Sequence, residues 1–257
     1  MKHLVLEARA YGAYRGKLLQ AVRADFADMA RELSAKLVKL GTNKRNRITI
    51  EIEGKDEEFI ANVLTQEYGT VSTIGALRLN STHKGHFVDV GKVGYGLYVD
   101  IGIATPSHMD ALIPLYSLRE QLQMRNSSLR TIANTLVLVD NLPVSIRITE
   151  VDITSQRIAG EFTESYLEQI DRWVKDDHQR LLVLGCTKEL IDDALEKSSH
   201  TEDIYRIEKL GHFEYSLRCK RSTRASGILA AIGPRLKGVP MHLFIPEEIG
   251  EKYHAKT

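Results

Sequence analysis

Cysteine is almost missing. Cys186 and Cys219 are the two in 257 residues, too few for a disulfide framework and without the spacing of a zinc knuckle. Long apolar runs are missing as well: "TLVLV" and "GILAAIG" fall far short of the ~20 residues that cross a bilayer. The first residues, "MKHLVLEARAYG", meet charge too early for a secretory signal, so a reducing cytoplasm is the expected setting. There is no Gly-x-x-x-x-Gly-Lys-Ser/Thr run, no nucleophile elbow around Ser226, and no Cys-His setting for Cys186. His83, His86 and His108 lie close in sequence, but no Cys or carboxylate pattern completes a metal site. The paired acids Asp176-Asp177 and Asp192-Asp193 point apart on a helix and read as solvated faces. The expectation is a protein with no catalytic residue, no metal and no cofactor.

What is present is ordinary in amount and uneven in placement. Hydrophobic residues make up 43% and charged residues 27%, a soluble globular composition, and 257 residues imply more than one compact unit. The net charge of +1 hides segregation. Residues 1–50 hold eleven Lys/Arg against four acids, residues 150–203 fourteen acids against six bases, and residues 204–237 eight bases against two acids. Either an extended polar partner touches some units and not others, or the basic and acidic segments dock on each other.

Periodicity divides the chain in three. "KHLVLEARAY" alternates as a strand, Gly16–Leu37 has helical spacing, "RITIEIEG" is a strand, and "KDEEFIANVLTQEYG" is a helix closed by Gly69. Residues 1–73 thus read as a βαβα unit. Residues 74–162 are dense in glycine and short strands, as in a small barrel: "HFVDVGKV", "YGLYVDIGI", "ANTLVLVDN", "VSIRITEVD" and "RIAGEF", with "LIPLYSLREQL" as a short helical element. Residues 163–257 open with a helical segment, in which Tyr166, Leu167, Ile170 and Trp173 form a packing stripe. From "RLLVLG" onward the order becomes β-α-β-β-α-β, with Thr187 as a helix N-cap, which is the ferredoxin-like, split-βαβ order. The fold class expected is α+β and multi-domain.

The stretch "GYGLYVDIG" carries the chemistry. Bases offer π-faces, and an aromatic ring on an open strand face stacks on any of them for ~1–3 kcal/mol. Glycines beside the rings let a backbone come close. With its flanks, the stretch resembles the ribosomal protein S-one type of RNA-binding domain, a five-stranded OB-fold barrel. Gly85 to Val90 match that family's first strand, and Tyr95 to Gly102 match its aromatic-Gly-small-aromatic-Val-Asp-apolar-Gly pattern. Ala111-Leu112-Ile113 and Tyr116-Ser117-Leu118 match its third strand and turn, and the segment from Pro143 to Phe162 its ending. Three departures stand out: a longer loop at Gly91–Gly94, Pro114 where many members carry a nucleic-acid-touching histidine, and the long connection "REQLQMRNSSLRTIANTLVLVD". "GYGLYV" is also similar to the RNP-one strand of the RRM, although Leu97 breaks its spacing.

The resemblance implies RNA binding through Tyr95, Tyr98 and Phe87, with His86, Lys84, Lys92 and Arg147 neutralising phosphates around them. The basic loop "GTNKRNR" adds Lys44, Arg45 and Arg47, and the strand-to-helix turn "RCKRSTRASG" adds Lys220, Arg221 and Arg224 at a helix start. The plainer reading makes Tyr98 a core residue, Tyr95 an exposed hairpin residue and both basic runs solvated turns. Barrel, helical segment and α/β domain in that order also resemble the alpha subunit of translation initiation factor two, and the exosome cap subunits share the central barrel. Over much of its length the chain resembles an archaeal protein family, which implies a source and no particular activity. The expected role is an RNA-binding accessory factor of ribosome, translation or transcription machinery. The alternative is an adaptor docking on RNA polymerase or ribosomal proteins, and an RNA-modifying enzyme would need a cofactor pocket that no motif announces.

Overall fold

A computed structural model describes residues 1–253. The first unit is β1 (Lys2–Arg9), α1 (Arg15–Met29), β2 (Ala35–Thr42), β3 (Arg47–Gly54) and α2 (Glu57–Tyr68). Ile48, Ile50 and Ile52 alternate on β3, and Leu6 and Ala8 on β1 with Ala10 just past its end; all are buried against Leu18, Val22, Ile60 and Leu64 of the two helices. That alternation sends Glu7, Arg9 and Arg47 to the other face of the sheet. As expected, α2 ends on Gly69, which takes φ +64°.

The βαβα reading needs one more strand. The helix expected as far as Leu37 ends at Met29, and Ala35–Thr42 pairs antiparallel with β3 from Ala35↔Gly54 to Thr42↔Ile48. Ala, Lys and Leu are good helix formers, but intrinsic propensity is worth only tenths of a kcal/mol per residue by general scales, ~0–0.7, and a ladder along β3 outweighs it. After α2 the chain returns along β1: the Glu7 amide donates to the Gly69 carbonyl (3.1 Å) and the Val71 amide to the Val5 carbonyl (3.0 Å).

The central unit closes into a five-stranded barrel. After a two-residue strand, β4 (Ser72–Thr73), come β5 (Thr82–Val88), β6 (Gly96–Thr105), β7 (Met109–Pro114), α3 (Leu115–Gln121), α4 (Leu129–Thr135), β8 (Pro143–Asp152) and β9 (Arg157–Phe162). The ring runs β5-β6-β7-β9-β8 and back to β5, with β7 and β9 parallel and its other neighbours antiparallel. Such a closed five-stranded ring is consistent with the OB-like barrel expected.

One expected strand is absent. "ANTLVLVDN" forms the end of α4 and a turn in which Val137 has φ +55°. Leu129, Ile132, Ala133 and Leu136 lie at helical spacing and are buried, and the Ser128 hydroxyl caps the helix by accepting from the Thr131 amide (3.1 Å).

The last unit comprises α5 (Glu164–Lys175), β10 (Arg180–Leu184), α6 (Lys188–Lys197), β11 (Ile204–Lys209), β12 (Glu214–Cys219), α7 (Ala225–Ile232), β13 (Met241–Phe244) and α8 (Pro246–Gly250). Its sheet order is β11-β12-β10-β13, all neighbours antiparallel, so β12 splits the pair β10 and β11 that α6 connects. The first unit follows the same path: returning segment, β1, β3, β2. β10 is buried on both faces. Leu181 and Val183 pack under α6 and α7, while Leu182 and Leu184 join the barrel's apolar cluster together with Tyr166 and Ile170 of α5. A strand covered on both sides must be continuously apolar, and "RLLVL" is so after its first residue. Burial pushes the Cys186 thiol up to about 12 and the Cys219 thiol to about 11, which favours the protonated thiol at both. Among the described residues no helix is long and apolar enough to cross a membrane.

Candidate nucleic-acid interface

β6 and the loop that enters it carry the two rings that the sequence singles out. Tyr95 stands 57% exposed just before the strand, and Tyr98 is half-buried within it. Their hydroxyls are 2.8 Å apart and their rings meet edge to face, centroids 6.3 Å apart at 85°. That mutual hydrogen bond, followed by burial, raises the Tyr98 phenol above its ordinary pKa. Each ring therefore fixes the other while leaving Tyr95 open to water. Phe87 is different. It is fully buried inside the barrel, edge-on to Phe162 at 6.2 Å, because Phe87 falls on the inward phase of β5. It is a core residue and cannot meet a base.

The cations split into two groups. Lys84, Lys92, Arg147 and Lys44 are exposed; Lys92 reaches Asp89 (2.6 Å), and Arg147 pairs with Glu161 on the adjacent strand. Arg45, Arg47 and His86 instead hold the domains together. The loop before β3 is closed by Asn43, whose Oδ1 accepts from the amides of Arg45 (2.9 Å) and Arg47 (3.1 Å). That closure aims both guanidiniums at the barrel. Arg45 forks onto Asp110 of β7, with Nη2 at 2.7 Å. Arg47, 2% exposed, bonds Asp100 of β6 and donates to the Glu7 carbonyl (2.9 Å). Burial alone would push the Asp100 carboxyl up, but Arg47, the Gly102 amide and Arg9 outweigh it and hold Asp100 below the usual carboxylate range.

His86 lies 3.7 Å from Glu214 of β12, which also accepts from the Tyr11 hydroxyl (2.8 Å) and the Phe213 amide (3.2 Å). One carboxylate thus gathers groups from all three units. Burial pushes Glu214 up, and these partners together bring it below its ordinary value. The C-terminal basic turn stands among acids: Lys220 is 3.6 Å from Glu202, Arg221 is 3.7 Å from Asp177, and Arg224 is exposed at the start of α7.

Below the Arg47–Asp100 pair lies a cavity of about 460 Å³, open to solvent and walled by all three units. The first supplies Glu7, Tyr68 and Gly69, the barrel Lys84, His86 and Asp100, and the last Lys209, Gly211 and His212. Of these, Lys84 and His86 were expected to act, though on an RNA backbone. Glu7, Asp100, Glu214 and His212 were missed as functional groups. Their signal was slight: in "LEARA" two charges occupy the outward phase of a strand whose inward phase is apolar.

Three family models match consecutive stretches: the DUF2110 N-terminal domain over residues 3–74, the DUF2110 central domain over 77–174, and the DUF2110 C-terminal domain over 178–243. The chain belongs to the DUF2110 family. The barrel and α5 together make up the DUF2110 central domain, and the cavity lies where the three DUF2110 domains meet. No curated protein matches the chain in sequence.

Proposed function

We propose that this DUF2110 chain binds single-stranded RNA without altering it, as an accessory factor of the ribosome, translation or transcription machinery. The observation that carries the reading is the Tyr95–Tyr98 pair. Two braced rings stand at the loop that enters the second strand of a closed five-stranded barrel, the side on which OB-type barrels take oligonucleotides. A fixed ring stacks on a base with little entropy lost on binding. The exposed Lys44, Lys84, Lys92 and Arg147 line the surrounding barrel surface or the loop docked on it, and Lys220, Arg221 and Arg224 offer a second, outlying grip on phosphates. Arg45, Arg47 and His86 support the face by fixing the neighbouring domains rather than by touching RNA. Titration with a labelled single-stranded oligoribonucleotide at several salt concentrations tests the reading. Salt-sensitive binding that Tyr95→Ala with Tyr98→Ala abolishes supports it. Binding indifferent to both rings ends it, and nuclease-resistant co-purification with polymerase or ribosomal proteins in its place would make the barrel a protein-docking surface.

A further inference from the structure

The cavity between the three domains is lined by neither Tyr95 nor Tyr98. Its floor holds Glu7, a carboxylate that the protein leaves under-used, beside the paired Asp100. Glu7 is half-buried on β1, and among the described residues its carboxylate makes no hydrogen bond or ion pair. It rests against Gly69, so closely that a β-carbon there would lie 2.6 Å from Oε2. Asp100 is 2% exposed and already engaged, its Oδ1 by Arg47 and the Gly102 amide and its Oδ2 facing Arg45 Nη1 at 3.6 Å, which leaves Glu7 as the acceptor open to a ligand. Glu7 is partly withdrawn from water, and Arg47 and His86 act on it only through their charge, so it is an acceptor to which a ligand can bring N–H groups.

The walls are flat and partly apolar. Tyr68 and His212 stack at 4.9 Å with 28° between their planes, Ile101, Pro143 and Leu210 add apolar surface, and Arg47, Gln66 and Glu67 also line the cavity. Burial, with Lys209 close by, pushes the His212 imidazole below its ordinary pKa, so it serves as a neutral ring. Two exposed lysines, Lys84 and Lys209, stand at the rim from different domains. Donor-hungry floor, flat walls and cationic rim match a nucleotide lying with its base inward and its phosphate outward. A cavity of about 460 Å³ falls in the range of small-molecule sites.

We infer that the three-domain cavity binds a guanine nucleotide, the base presenting its two adjacent N–H donors to Glu7 and the phosphate meeting Lys84 and Lys209. Guanine suits the floor because an ionised carboxylate only accepts, and the guanine edge offers a ring N–H beside an amino group. Adenine presents an acceptor at the ring position, and hypoxanthine lacks the amino group. The same chemistry is offered by a free nucleotide and by an unpaired guanosine of an RNA. In the second case the cavity would capture a nucleotide out of its stack while the barrel held its neighbours.

Calorimetric titration of the full chain with GMP, IMP, AMP and guanosine tests the inference. GMP is expected to bind at least about tenfold more tightly than IMP or AMP. Glu7→Gln should weaken GMP by about tenfold or more, with folding checked by circular dichroism. Lys84→Ala with Lys209→Ala, both exposed and safe for folding, should weaken GMP and leave guanosine unchanged. A short oligoribonucleotide ending in guanosine that displaces GMP at lower concentration assigns the ligand to RNA; failure to displace it assigns the free nucleotide. The Tyr95→Ala, Tyr98→Ala chain should keep GMP binding in full, which separates this site from the barrel face. Absent GMP binding, no preference over AMP, or a Glu7→Gln chain with native affinity would overturn the inference.

Discussion

Arg47 on the N-terminal sheet and Asp100 on the barrel are each 2% exposed and bonded to one another across the seam between their domains. Asp100 stands on the strand that the family resemblance turns toward RNA, and Arg47 ends the loop whose basic residues read as a phosphate grip. Instead they cancel each other's charge out of reach of water. The basic excess of the first fifty residues is thus spent in part on docking, and charge segregation along this chain reports domain assembly as well as any outside partner.

Removing one partner should be far worse than removing both. Asp100→Ala strips the buried Arg47 of its carboxylate and is expected to lower unfolding free energy by ~3–5 kcal/mol, while Arg47→Ala should cost less, because Arg45 at 3.6 Å and Arg9 still face Asp100. An apolar pair of similar volume, Arg47→Met with Asp100→Leu, should recover most of that loss. Denaturant titration of the three variants decides the matter; single variants within ~0.5 kcal/mol of the native chain would show that the seam does not bear on stability.

The buried carboxylates give opposite pH signatures. Asp100 and Glu214 have pKa values below their ordinary range when folded, so their contribution is complete above that range and is lost as pH falls through the lowered values. Asp100→Asn and Glu214→Gln should therefore be less stable at neutral pH and show a flatter acid limb. Glu7 is raised, chiefly by burial, so its ionised form costs stability at neutral pH and protonation relieves that cost. Glu7→Gln should accordingly raise the melting temperature at pH 7 and leave it nearly unchanged at acid pH. An unstabilised Glu7→Gln at pH 7 would contradict the cost assigned to this carboxylate.

Local patterns marked most of this architecture. The alternation of "RITIEIEG", the cap at Thr187 and the apolar run of β10 each depend on neighbours within a few residues, and each is found in place. What stayed hidden depends on contacts distant in sequence. Ala35–Thr42 becomes a strand because β3 lies ready to pair, and "GTNKRNR" looks like any solvated loop until Asp100 and Asp110 are brought against it. Alternation tells which side chains leave a core; it is silent on which domain then covers them. That is why the rings at 95 and 98 were visible in advance and the cavity formed by Glu7, His86 and His212 was not.

The glycines of "GYGLYVDIG" also divide by physical role. A β-carbon on Gly96 would lie 2.4 Å from the Ile113 carbonyl oxygen and 2.7 Å from Leu112 Cδ1, and the carbonyl is backbone that cannot step aside. Gly96 therefore serves the β6–β7 pairing that helps close the barrel. Gly94 faces open space. Gly96→Ala should cost ~1–3 kcal/mol as an overpacked contact, and Gly94→Ala should stay within ~0.5 kcal/mol of the native chain. Thermal melts of the two single variants compare them directly, and equal losses would refute the distinction.

The sharpest contrast between core and surface is offered by two aromatic residues, Phe87 within β5 and Tyr95 at the entrance to β6. Phe87 touches Phe162 inside the barrel and has no exposed surface, so Phe87→Ala should remove ~3–5 kcal/mol of stability by transfer and cavity terms together. Whatever fraction of that variant remains folded should bind RNA as the native chain does. Tyr95 is 57% exposed, and its packing is limited to one side, so Tyr95→Ala should cost little stability. On RNA, however, it should lose ~1–3 kcal/mol, the worth of one stacked base, which is a fall of about five- to 150-fold in affinity. The two readouts cross: stability goes with Phe87, affinity with Tyr95. Equal affinity losses per folded molecule for both variants would mean that the barrel face does not read bases by stacking on its exposed ring.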